Sequence, residues 1–157
     1  DNAGDGKLWA AKQLEKAIEA EAANNPALAQ AWREAAAENQ KSSEYFLKAG
    51  EAKAIGTPEK TNEGNSWDNA GLGKLRAAKQ LEKAIEAEAA NNPTLAQAWR
   101  RAAGSNRQAS DYWISATRER ARGNNEGPTG AAYWDREALK KYNEAKALAD
   151  EIESGRK

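Results

Sequence analysis

Apolar residues recur at helical spacing through most of this chain. Leu8, Ala11, Leu14, Ile18 and Ala22 fall three or four residues apart, which predicts a helix over about 7–23 with these side chains on its buried face. Asn24, Asn25 and Pro26 then end one helix and start the next. Asn24 suits the left-handed position after a helix, Asn25 a cap, and Pro26 a first turn where its missing N–H is not needed. A second helix is predicted over about 26–55. Its seam of Leu28, Trp32, Ala35, Asn39, Ser42, Phe46 and Ala49 alternates spacings of four and three, and Gly56 and Pro58 stop it. Residues 56–66, rich in Gly, Asn, Thr and Pro, read as a loop.

The same plan follows a second time. A helix is expected over about 72–90 and another over about 93–122, the latter with a seam of Leu95, Trp99, Ala102, Asn106, Ala109, Trp113 and Ala116. Residues 123–130 read as a second loop, and a last helix over about 131–154 keeps Leu139, Ala145, Leu148 and Ile152 as core letters. At about 1.5 Å per residue the seam helices outreach their partners by two or three turns. Phe46 and Trp113 therefore need cover from the linker, the next copy or a partner.

The recurrence is a tandem repeat of strict period. Residues 1–67 align with 68–134 without a gap and share 40 of 67 positions, 32 of them within the first 36 and only 8 in the remaining 31. A partial third copy keeps 9 of 24 positions. Self-similarity at a fixed period decides architecture ahead of local detail. The expected organisation is one hairpin over 1–67, a second over 68–133, and a closing half-unit over 134–157 that caps the stack. The fold class is all-α, with about five antiparallel helices in a bundle or short solenoid.

Composition makes the core unusual. Leu, Ile, Val and Phe number 16 of 157 residues and Val is absent, while Ala contributes 36, Trp six and Tyr four. So few aliphatics would suggest disorder. The zero net charge and the alanines, the strongest helix formers, argue instead for close Ala seams punctuated by aromatics. With no Cys and no His, disulfides, thiolate chemistry and the commonest general base and metal ligand are excluded. Position 1 is Asp and Met is absent throughout, so the chain is expected to be a mature form that has lost a secretory signal. A secreted or periplasmic location follows, with the cytoplasm as the alternative. No apolar run approaches the ~20 residues a membrane span needs.

Three features bear on function. Lys12, Gln13, Glu15, Lys16, Glu19 and Glu21, expected on the exposed side of the first helix, recur unchanged in the second copy. Copying explains that identity most simply; a face used twice explains it functionally. The second feature is charge: four Lys or Arg balance four Glu over 26–55, whereas 93–122 carries six Arg against Asp111 and Glu119. A solvated face, or docking onto the protein's own acidic helices, is the plainer reading of these arginines; Arg100, Arg101, Arg107, Arg118, Arg120 and Arg122 are also candidates for an acidic protein partner, because guanidinium makes forked hydrogen bonds to carboxylates. A neutral chain is not the basic domain that nucleic-acid binding needs. Trp9, replaced by Arg76 in the second copy, is a further candidate contact. The third feature is aromatic: Trp32, Phe46, Trp99, Tyr112 and Trp113 are candidates to line a groove for an apolar ligand between helices. Their recurrence in register marks the aromatics mainly as core and junction packing, with the groove as the sharper alternative, and Asn39 and Asn106 on the seam suit register.

Catalysis has little support. Glu15 with Glu19 and Glu82 with Glu86 stand one turn apart, but no His completes a di-iron pattern. Gly4-Asp5-Gly6 and Gly71-Leu72-Gly73 lack the strand context of a phosphate loop. The reading is a non-enzymatic helical repeat protein without cofactor or metal, acting through a protein partner or self-assembly. The alternative is a helical carrier of a small apolar or aromatic ligand.

Overall fold

The Asn-Asn-Pro signals act as the sequence suggests. Asn24 and Asn91 both adopt left-handed conformations at φ 59°, and Asn25 and Asn92 accept the backbone N–H of Leu28 and Leu95 at 3.2 and 3.1 Å. A computed structural model describes residues 2–155 and places five helices there. They are α1 (Asn2–Ala22), α2 (Pro26–Ile55), α3 (Pro58–Ala89), α4 (Pro93–Ala121) and α5 (Ala131–Glu153), with no strand among the described residues. Asp1 and the last two residues of the expected closing unit lie outside that range.

The largest departure from expectation is the first linker. Residues 58–66 are helical and belong to α3, which is one continuous helix of 32 residues. Gly56 closes α2 at φ 83°, and Thr57 at once caps α3 by accepting the N–H of Lys60 at 3.2 Å. Pro58 takes the first turn. The glycines of this stretch admit a close neighbour. A Cβ on Gly64 would lie 2.9 Å from the carbonyl oxygen of Ala49, and one on Gly71 would touch the Phe46 ring at 3.0–3.1 Å. The start of the next copy, at Gly71, thus supplies the cover that Phe46 needed. Residues 123–130, by contrast, do form a loop, entered through Gly123 at φ 77°.

Each helix packs on its neighbours in sequence: α1 on α2, α2 on α3, α3 on α4 and α4 on α5. The core consists mostly of alanines and four large rings, Trp32, Phe46, Trp99 and Trp113. Small side chains let helix backbones approach, and the approach is fixed by polar contacts. Ser43 Oγ donates to Ala3 O at 2.7 Å and Ser110 Oγ to Ala70 O at 2.8 Å. Asn39 Nδ2 donates to Gln13 Oε1, and Asn106 Nδ2 to Gln80 Oε1, both at 2.8 Å. Each contact recurs with both partners displaced by 67 positions.

The buried face of α1 is not the expected one. Leu8 and Ile18 are exposed, as are Ala11 and Ala22, and Leu14 is half-buried. Gly6, Ala10, Gln13, Ala17 and Ala20 face the core instead. Gln13, expected among the exposed residues, is only 1% accessible. Leu139 likewise stands out in solvent on α5, while Ala145 is buried.

Four outcomes test this packing. Gly64→Ala should lower the thermal midpoint, because its Cβ meets a carbonyl oxygen. Gly104→Ala, with nothing within 4 Å, should raise stability by about 0.5–1 kcal/mol, the usual helical gain over Gly. Asn106→Leu should cost on the order of 1–3 kcal/mol in urea unfolding by orphaning the buried Gln80 amide. Adding Gln80→Leu should recover much of that loss.

Candidate functional site

Three isoleucines stand at corresponding positions of the repeat, Ile18, Ile85 and Ile152. Ile85 on α3 packs with Trp32, Leu28 and Ala31 of α2. Ile152 on α5 packs in the group around Trp99 of α4. Among the described residues no helix covers Ile18 on α1, which is 63% exposed; Leu8, 54% exposed, lies on the same side about 15 Å along the helix. The letters of 10–26 and 77–93 are identical, yet α3 buries two faces where α1 buries one. On α3, Ala77, Gln80, Ala84 and Ala87 match the buried face of α1, whereas Ala78, Leu81 and Ile85 match the face that α1 leaves open. The apolar spacing read from the sequence was real, but it belongs to this second face.

Electrostatics mark the same face. Lys74 on α3 reaches Glu38 Oε2 of α2 at 3.2 Å, and Arg107 Nε of α4 reaches Glu38 Oε1 at 2.9 Å. Lys74 and Glu38 are largely buried, and Asp111 lies 3.9 Å from the ammonium. The contacts are ionic, since neither Glu38 Oε2 nor Arg107 Nε finds an aligned hydrogen bond. Lys7 is the counterpart of Lys74 on the open face of α1, and it is exposed without an ion pair among the described residues. Glu82 on α3 accepts Gln13 Nε2 at 2.9 Å, extending the Asn39–Gln13 contact across three helices.

The arginines do not gather into one patch. Arg107 is committed to Glu38, Arg120 to Ser66 and Asp135, and Arg100 to Glu88. The hydrogen bond from Arg100 holds the Glu88 carboxyl below its ordinary value and raises the guanidinium in turn. Arg122 pairs with Glu119 at 2.9 Å on an otherwise exposed side chain. Arg101 and Arg118 are exposed without an ion pair among the described residues. Seventeen positions apart, they stand about 25 Å from one another along the helix at 1.5 Å per residue. The net charge of α4 is therefore spent largely on this protein's own carboxylates.

The aromatics proposed for a groove are core residues. Trp32, Phe46, Trp99 and Trp113 are buried, and Tyr112 is half-buried against Trp134 at a centroid distance of 5.4 Å. Two cavities of similar volume lie elsewhere. One of about 530 Å³ is lined by Leu95, Ala98, Arg101, Leu148 and Ile152, and one of about 540 Å³ by Leu28, Ala31, Glu34 and Ile85. These are the same seam 67 positions apart. Trp9 is 42% exposed and borders a smaller cavity of about 260 Å³ with Leu75, Lys79 and Glu82. It sits on the side away from Ile18. Its counterpart Arg76 lies 4.5 Å over the Tyr142 ring, so the two residues meet different neighbours.

Among the described residues no group of three or more His, Cys, Asp or Glu side chains is arranged to hold a metal ion, and no helix is long and apolar enough to cross a membrane. No family model matches the chain, and neither a curated protein nor a solved structure matches it.

Glu38, Lys74 and Lys7 were not singled out in the sequence as site residues, and Gln13 was read as part of an exposed face. One signal for its buried role was available: Gln13 recurs as Gln80, and its partner Asn39 recurs as Asn106 within a stretch where only 8 of 31 positions match.

Tyr45 gives the site a pH signature. Burial, then Asp111, Glu44 and Glu38, raise its phenol above its ordinary value of 10.0, and its ring packs on Trp67 at 5.3 Å. The folded state then holds its proton where the unfolded state has lost it. This contribution is full below pH 10 and disappears as pH rises through the raised folded value. Urea unfolding in that alkaline window should show falling stability, with a shallower fall in Tyr45→Phe.

Proposed function

We propose that this chain is a non-enzymatic helical repeat protein working by protein–protein contact. In this reading α1–α2 and α3–α4 are antiparallel hairpins of a 67-residue unit, stacked so that each incoming helix covers the seam helix before it. α5 is a closing half-unit, and the protein acts outside the cytoplasm in a secreted or periplasmic setting. The recurrence of the Asn–Gln pair, the Ser–Ala contacts and the Lys53–Asp68 and Arg120–Asp135 pairs at one offset supports the stacking.

One observation carries the interaction reading: Ile18 is 63% exposed where the matching Ile85 is 4% exposed beneath a neighbouring helix. Exposed apolar faces of this kind mark contact sites. The contact is assigned to the Leu8–Ile18 side of α1 rather than to the arginines, most of which are already paired. The carrier reading is weaker. Its aromatics lie in the core, and the cavity beside Leu95 recurs beside Leu28 as a consequence of how the helices cross.

Native mass spectrometry of the protein from its source should show it in a complex. Ile18→Lys should abolish that complex and leave the thermal melt of the isolated chain unchanged. A complex indifferent to Ile18→Lys would sink this reading, and a bound small mass that survives the substitution would favour the carrier.

A further inference from the structure

The two ends of the helix array are finished differently. On α5 the counterparts of Ala77, Gln80, Ala84 and Ala87 are Glu144, Ala147, Glu151 and Ser154, all exposed. The face that would receive a further seam helix has been rewritten with charge, as the closing unit of a repeat array requires. The opposite end has not been rewritten. α1 keeps Leu8, Ala11, Leu14 and Ile18, the letters that stand as Leu75, Ala78, Leu81 and Ile85 on α3. It keeps Lys7 where Lys74 meets Glu38, and Gly4 where Gly71 admits the Phe46 ring.

What fits such a face is visible within the molecule. The α3 copy rests on Leu28, Ala31, Trp32 and Ala35 of α2, with Glu38 opposite its lysine. We propose that the open face of α1 docks a helix of this α2 type, with Leu, Ala, Trp, Ala and Glu at the spacing of 28, 31, 32, 35 and 38. This rests on the interaction reading above and names the partner. A second copy of this chain does not supply the helix, because its α2 is occupied by α1 and α3, and its α4 by α3 and α5. The docked helix sets its Trp under Ile18, its Glu against Lys7, and leaves Trp9 outside the contact.

The probe is a peptide of residues 25–56 of this chain, stapled between positions 30 and 34 so that its helix is preformed. Both positions are exposed on α2. Fluorescence anisotropy against the full chain should show saturable binding. Ile18→Lys and Lys7→Glu should each weaken it about ten-fold or more, the scale of one lost buried contact. Glu38→Lys in the peptide should restore binding to the Lys7→Glu protein, and Leu139→Lys on α5 should change nothing. Absent binding, or binding indifferent to Ile18 and Lys7, overturns the proposal. So does Ile18-dependent self-association of the chain in sedimentation velocity without peptide binding, which would make a second copy the occupant. If Ile18→Lys dissolves the native complex but the peptide does not bind, protein–protein contact survives and the α2-type partner falls.

Discussion

Close approach of helix backbones is the constraint on which this structure depends. A chain with so few large aliphatics cannot fill wide gaps between helices. It must bring Ala and Gly surfaces together until backbone atoms are in contact. Gly6, Gly64 and Gly73 mark where this happens, each with a neighbouring carbonyl oxygen within about 3 Å of where a Cβ would stand. Elsewhere a glycine inside a helix costs about 1 kcal/mol relative to Ala. Here it buries surface that no larger residue could, and the four large rings fill the space where helices diverge.

Close packing of small residues is poor at fixing register, since one Ala–Ala contact resembles the next. The buried amides supply what the alanines lack. Gln13 with Asn39, and Gln80 with Asn106, meet only when the two helices stand in one axial relation. A slip of one turn would leave both amides unpaired, at a cost comparable to the desolvation of each. The serine bonds to Ala3 and Ala70 pin the same interfaces further along. Asn39 and Asn106 therefore serve register, as their seam position implied.

Much of the fold was legible because its signals are local. Asn24-Asn25-Pro26 and Gly56 encode their own geometry, and α2 begins and ends where those residues put it. The linker at 56–66 was misread because Gly, Asn and Ser count against a helix unless a neighbouring backbone needs the room, and that need is a tertiary fact. The inward side of α1 was misread for a related reason. α1 carries two periodic stripes, one of Ala with Gly and Gln and one of Leu and Ile, and hydrophobicity selects the second. Only the packing shows that the quieter stripe faces α2. The arginines of α4 were identified correctly as a recharged set. Their partners Glu38, Glu88 and Asp135 lie on other helices and were invisible to a count along one.

Identity between the two copies was ambiguous in the sequence, since recent copying and retained function leave the same letters. The ends of the array separate the two explanations in part. Copying accounts for Leu14 and Ile18 resembling Leu81 and Ile85. It does not account for α5, where the positions matching Ala77, Ala84 and Ala87 are Glu144, Glu151 and Ser154, all exposed. Leu8 and Ile18 stay apolar on a side of α1 that is exposed, whereas α5 carries Glu144 and Glu151 on its own open side, so copying alone does not set the letters of both.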